Sequence, residues 1–431
     1  MTGGRQDDGQ CTVYRMASSC RFYASLVRQG PAVGHPGRGE KEMRVLVTGV
    51  GDVESVLTWS GTPYYILRAL REKLGTEHVV LISLVRPSKS ASIAEVFKYG
   101  CSRLAGRRYS REFAPTALVS FAKQLEHAVS AYKPDVVLSI GSQPIAMAHV
   151  PVPVVMWSDA TFSGMMHADP VYDRLSHWGK SQGERAEHLA IGKAAMAVFS
   201  STWAARSAIE DYRKDSRFVR VIPFGANLTV APSAERVAAN IAERSRESCD
   251  LLFVGVDWQR KRGDFAVAVT RELTALGIHA RLRVVGCSPT LHGVADSQIE
   301  VLGRLRKDVA NELQQLEELY CQSHFLLLPS AAEPYGIVYA EASAFGLPSV
   351  ATDVGGVATV VQSGRNGLLF SRAATPRDYA TAIARFWQDA DKYTDLCRTT
   401  REEYEQRLNW GVSIGRLYSI LEEVCTAYAS A

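Results

Sequence analysis

No apolar run in these 431 residues approaches the ~18 that a membrane-crossing helix needs. The longest, such as 325–328, have the length of a buried strand. Cysteine is sparse and scattered: eight residues, at 11, 20, 101, 249, 287, 321, 397 and 425, with no Cys-x-x-Cys pair and no histidines clustered beside them. That argues against a disulfide framework or a structural zinc site, and suits reduced thiols in a cytoplasmic protein. A charge excess of one sign is also missing. The formal net charge of +4 is small for this length and argues against a dedicated nucleic-acid binder. No internal repeat is present, and low complexity is confined to the first 42 residues.

What is present is a chain too long for one ordinary core. Two α/β domains of roughly 200 residues are the natural expectation. Residues 1–42 stand apart, rich in Gly and Arg without a sustained period, and read as a disordered leader or a misassigned start. A transit peptide is the alternative, with Arg15, Arg21 and Arg28 spacing small and apolar residues; Asp7 and Asp8 oppose it.

From residue 43 short apolar runs alternate with helical patterns. Strands are expected at 45–48, 79–84, 136–140, 154–157, 197–200 and 219–222, with helices between them, as at 63–74 and 116–132. Pro223-Phe-Gly-Ala-Asn breaks the pattern. A second array begins near 251, with strands at 281–285, 299–302, 325–328, 349–352 and 367–370 and helices at 264–276 and 308–322. β-branched runs alternating with helices imply parallel sheets covered on both faces, so the expected fold is two doubly wound Rossmann-like domains, 43–225 and 226–411. A last helix carries Ile414, Leu417, Leu421, Val424 and Cys425 at helical spacing.

The most informative stretch is Glu333-Pro-Tyr-Gly-Ile-Val-Tyr-Ala-Glu341, which follows the strand at 325–328 and precedes Gly355-Gly356. Ligands of open α/β sheets bind beyond the carboxyl ends of strands. A helix beginning near Gly336 would turn the backbone N–H groups of Tyr335, Gly336, Ile337 and Val338 toward an anion, most simply a diphosphate. Glu333 in the loop can accept from sugar hydroxyls, and Glu341 on the helix from a ribose. The alternative makes Glu333 a helix cap and Glu341 a surface residue.

Glu333 and Glu341, with Ala342, Ala344, Gly346-Leu-Pro and Asn366-Gly-Leu-Leu-Phe, resemble the signature of glycosyltransferase family 4. These are retaining enzymes of the GT-B fold, two Rossmann-like domains with an interdomain cleft. The resemblance implies a nucleotide-diphosphate-sugar donor as co-substrate, a hydroxyl acceptor, net retention by front-face displacement, no divalent metal and no other cofactor. It implies that Glu333 contacts donor sugar hydroxyls and Glu341 the ribose. It also implies that the 412–431 helix packs back on the first domain.

Arg260, Lys261 and Arg262 follow the strand near 251, at the same edge. Lys261 before Gly263 resembles the family's phosphate-binding pair, whereas Val256 stands where the family usually has an Arg. Arg260 is then a candidate second cation; a solvated basic turn is the alternative. Gly61 resembles the family's glycine facing the donor phosphates, and equally suits a tight turn. Gly49 and Gly51 begin a dinucleotide fingerprint, but Glu54 stands in place of its third glycine. Asp159, after the strand at 154–157, is placed to accept the acceptor's proton or to steady charge on the sugar; capping the next turn is its alternative. Arg206 is a candidate for substrate contact or a surface helix residue.

Lys98, Arg103, Arg107, Arg108 and Arg111, interleaved with Phe97, Tyr99, Leu104 and Tyr109, read as a solvated face, as a contact with a lipid-diphosphate acceptor, or as a peripheral contact with an anionic membrane, at the inner face in a cytoplasmic protein. The expected activity is glycosyl transfer, with Glu333, Asp159 and Lys261 as catalytic groups. A nucleotide-sugar epimerase on the same fold and a nucleotide-sugar-binding protein without catalysis are the alternatives.

Overall fold

A computed structural model describes residues 43–86, 91–288 and 298–430. The leader at 1–42 lies outside the described residues. Strands β1 (Val45–Val50), β2 (Val79–Leu84), β3 (Val136–Ile140), β4 (Val154–Ser158), β5 (Met196–Phe199) and β6 (Val219–Val221) form one sheet, in the order β2-β1-β3-β4-β5-β6. Strands β7 (Cys249–Val254), β8 (Ala280–Val285), β9 (Ile299–Gly303), β10 (Phe325–Leu328), β11 (Ser349–Thr352) and β12 (Gly367–Phe370) form the second, in the order β12-β11-β10-β7-β8-β9. All the pairings are parallel.

The strand sequences explain the arrangement. Every residue of β3, β4, β5, β10 and β11 is buried, which requires helices on both faces of the sheet. The crossovers supply them. In the second sheet the chain runs outward from β7 through β8 to β9, then returns to the other side of β7 as β10. That reversal opens a crevice between the carboxyl ends of β7 and β10, the standard ligand position of a doubly wound sheet. The first sheet reverses in the same way between β1 and β3.

The junction at 223–227 is packed rather than loose. Trp157 from β4, Phe224 from the junction, Tyr335 and Trp410 meet with ring centroids 5.2–6.0 Å apart. The Asn227 amide donates to the Ser60 carbonyl at 2.8 Å, and its oxygen accepts from the Trp410 indole at 3.1 Å. The last helix, Trp410–Ala429, buries Ile414, Leu417, Leu421 and Val424 and packs on the Thr62–Leu74 helix of the first sheet. No described helix is long and apolar enough to cross a membrane.

Candidate functional site

The loops after β7 and β10 bring their charged residues together. Lys261 is buried, and its ammonium is paired with Oε2 of Glu333. The same carboxylate oxygen lies 3.5 Å from the Ser330 hydroxyl and 3.7 Å from the Arg260 guanidinium. Arg260 is fixed by donating to the Ala332 carbonyl at 2.8 Å, while the Ala331 amide donates to the Arg260 carbonyl. The two loops therefore form one braced unit. Burial lowers the Lys261 pKa, and the Glu333 charge opposes that shift. The alternative of a solvated basic turn fails for Lys261 and Arg260. Arg262 lies apart from this cluster, over the Phe265 ring at 4.1 Å.

The helix Ile337–Ala344 starts at Gly336, whose φ of 84° is strained for any residue with a Cβ. No side chain caps this start, so Glu333 is not a cap. The amides of Ile337 and Val338 lie in the first turn, where a helix offers no acceptor of its own. Tyr335 contributes backbone only: its hydroxyl donates to the Phe224 carbonyl at 2.6 Å.

Glu341 is 1% exposed, which overturns the alternative of a surface position. One of its oxygens is paired with Lys307, and the other accepts from the Tyr320 hydroxyl at 3.1 Å. Sequence reasoning missed Lys307. The signal was available, since Arg304, Arg306 and Lys307 directly follow β9 at the same sheet edge as the Arg260–Arg262 run.

Across the cleft, Asp159 follows β4. Thr161, not Asp159, caps the next helix, by accepting from the Gly164 amide. Oδ2 of Asp159 instead accepts from the Trp59 indole N–H at 3.1 Å. Burial pushes the Asp159 pKa up to about 7; the Trp59 hydrogen bond opposes this and the Glu333 charge adds to it. Trp59, Ser60 and Gly61 are three successive left-handed residues, with φ of 47°, 55° and 85°. Side-chain residues adopt that region only where surroundings impose it. Gly61 is buried and starts the Thr62–Leu74 helix, so its turn requirement is plain. Trp59 was the second residue missed; an aromatic two positions before such a glycine was its only mark.

Arg206 is exposed on the Thr202–Glu210 helix and lines a cavity of about 240 Å³ with His167, Trp203, Glu210, Gly355 and Arg372. Gly355 joins this cavity to the Glu333 loop, because the next amide, Gly356, donates to the Glu333 carbonyl at 3.2 Å. The structure thus gathers Glu333, Lys261 and Arg260 around one carboxylate. It sets Glu341 on the following helix and Asp159 at the end of β4 in the other sheet, bonded to Trp59. Among the described residues no group of three or more His, Cys, Asp or Glu side chains is arranged to hold a metal.

Residues 248–389 match the family model described as "Glycosyl transferases group 1". The D-inositol 3-phosphate glycosyltransferase of Nocardia farcinica is 30% identical over 223 residues, 48% of each chain. This chain spans about half the length of the curated relatives it matches. HepE of Anabaena, solved in complex with UDP, superposes with a TM-score of 0.59 at 16% identity, over 88% of this chain and all of that one. Sucrose-phosphate synthase of Thermosynechococcus elongatus gives 0.62 at 16% identity, with the same coverage. Two parallel six-stranded sheets with these neighbours define the GT-B fold. The stretch 248–389, which carries Lys261, Glu333 and Glu341, is therefore similar to the glycosyl transferases group 1 family.

Proposed function

We propose that this protein is a retaining glycosyltransferase that moves a sugar from a nucleotide-diphosphate-sugar to a hydroxyl acceptor without a divalent metal. The observation that carries the reading is the meeting of Glu333, Lys261 and Arg260 in the β7–β10 crevice, with Asp159 just beyond the carboxyl end of β4 in the other sheet, within reach of the Glu333 charge. The curated relatives are named for glycosyl transfer, and HepE was solved with UDP and with UDP-glucose.

In this reading donor binding exchanges contacts. The diphosphate takes Lys261, Arg260 and the amides at the start of the Ile337–Ala344 helix. The sugar hydroxyls take Glu333, and the ribose takes Glu341. As the bond from the anomeric carbon to the phosphate oxygen breaks, those cations and amides stabilise the charge left on the diphosphate. The acceptor oxygen bonds to the same face of the anomeric carbon. Its proton passes to Asp159, whose pKa of about 7 suits a general base near neutral pH. We place the reaction in the cytoplasm, in keeping with the free thiols at Cys101, Cys249, Cys287, Cys321 and Cys397.

The test is a panel of UDP-, GDP- and ADP-sugars, read by released nucleotide with lipid-extract and oligosaccharide acceptors. Acceptor-dependent release that disappears in Glu333→Gln supports the reading. Release needing no acceptor points to an epimerase or hydrolase. Thermal stabilisation by a donor without turnover against any acceptor points to a binding protein.

A further inference from the structure

The helix Ile93–Leu104 sits with its polar side inward. Its buried residues are Glu95 and Ser102. Glu95 accepts from the Thr116 amide at 3.0 Å and the Thr116 hydroxyl at 2.7 Å, and Ser102 donates to the Lys98 carbonyl at 2.7 Å. The outer face carries Ile93 and Leu104, each 91% exposed, Phe97 at 65% and Val96 at 58%. At 3.6 residues per turn, Ile93, Phe97, Gly100 and Leu104 fall within an arc of roughly 60°, with Val96 beside them. An amphipathic helix that faces a core does the reverse. Four large apolar side chains in one row form a patch, unlike the scattered apolar residues usual on a surface.

The charge around this row identifies its partner. Between 91 and 112 stand five basic residues, Lys98, Arg103, Arg107, Arg108 and Arg111, against Glu95 and Glu112. Glu95 is buried inside the fold and paired with Arg86 at 4.0 Å. Lys98 and Arg103 flank the apolar row on opposite sides, and Arg107 and Arg108 lie exposed just beyond the helix end. Arg111 stacks on the Tyr99 ring at 4.0 Å. A second copy of the chain would meet this face by two-fold symmetry, bringing the cations against one another. A bilayer bearing anionic lipid satisfies both features: the apolar row enters the acyl boundary while the cations stay among the headgroups.

We propose that the Ile93–Leu104 helix is an interfacial anchor that docks the first-sheet half of the protein on an anionic membrane surface. This does not rest on the transfer reading, and the two fail separately. The test is cosedimentation of the full chain with phosphatidylcholine vesicles and with vesicles containing phosphatidylglycerol, at low and high salt. Binding is expected to the anionic vesicles alone and to weaken with salt. Ile93→Ser/Phe97→Ser/Leu104→Ser should lower the partition coefficient roughly tenfold or more, and Arg103→Gln about fivefold. Circular dichroism checks the fold of each variant, and Phe97→Asp alone serves if the triple variant does not fold. No binding to anionic vesicles, or binding unchanged by the apolar substitutions, overturns the proposal. So does a concentration-dependent dimer, seen by light scattering, that the same substitutions dissolve.

Discussion

Trp59→Phe isolates what the indole N–H does for Asp159. The substitution keeps an aromatic ring beside Phe224, whose centroid lies 6.2 Å from that of Trp59, and removes only the donor 3.1 Å from Oδ2. A hydrogen bond to a charged group contributes ~1.5–3 kcal/mol. The low end of that range, ~1.5 kcal/mol, is the reasonable figure for the loss. That loss falls on the ionised form and raises the pKa further above its value of about 7. A general base must be ionised, so the rate rises with pH through its pKa. For Trp59→Phe, kcat/KM should fall about tenfold at pH 6 and stay nearly unchanged at pH 9. The assay is nucleotide release across a pH series with a saturating acceptor. A profile whose acid limb stays in place, or a loss equal at every pH, would refute the assignment of Asp159 as the base and of Trp59 as its positioning residue.

Glu333→Gln should cut transfer by roughly a hundredfold or more while leaving free nucleotide diphosphate affinity nearly intact. Glu341→Ala should weaken nucleotide binding about tenfold; calorimetry separates the two, and equal effects contradict their separate roles. Lys307→Met leaves the carboxylate of Glu341 without its cation. Because the Lys307 side chain keeps 23% exposure, the cost should be ~2–4 kcal/mol by denaturant unfolding, with Lys307→Met/Glu341→Met recovering most of it. Gly225→Ala should destabilise by ~1–3 kcal/mol or more, since the new Cβ would lie 2.2 Å from the Trp410 amide nitrogen; an unchanged Tm would show that the junction yields. Glu187 is 4% exposed, and burial raises its pKa from an ordinary 4.5 to about 7. Its neutral form is favoured in the fold, so its contribution is complete below pH 4.5 and lost as pH rises through about 7. Unfolding free energy should fall between pH 5 and pH 8 by up to ~3 kcal/mol from this group, and Glu187→Gln should flatten that slope.

The strands were legible because their burial is written locally. β3, β10, β11 and β12 start and end where the apolar runs do, since a parallel strand covered on both faces admits no polar alternation. Glu333, Glu341 and Lys261 were legible for a related reason: each follows a strand, and all the strands of one parallel sheet end at one edge. What stayed hidden depends on which strands become neighbours. Trp59 and Asp159 are 100 positions apart, and their contact requires β1 and β4 to flank β3 in one sheet. Lys307 reaches Glu341 from 34 positions away because β9 and β10 end at the same edge. The outward apolar row on the Ile93–Leu104 helix was hidden for a different reason. Its periodicity is that of any amphipathic helix, and only Glu95 bonded to Thr116 reveals which face turned in.

The two carboxylates differ in what a donor would displace. Glu333 shares one oxygen among Lys261, Ser330 and Arg260, all of them polar side chains. Glu341 is held by Lys307 on one oxygen and by the fully buried Tyr320 on the other. Tyr320 also stacks on Phe345 at 5.2 Å, so it has little freedom to leave. In the proposed reading a ribose would therefore compete with Lys307 and leave the tyrosine in place. In both pairs a buried carboxylate keeps a cation until ligand arrives, which avoids the several kcal/mol that an unpaired buried charge would cost the empty site. Nucleotide affinity is then a difference between two sets of contacts. The exchange is favourable only for a ligand that brings phosphates for the freed ammonium groups as well as hydroxyls for the carboxylates. In the proposed reading, that dual requirement ties selectivity for a nucleotide-sugar to the same pairs that hold Glu333 and Glu341 in the empty site.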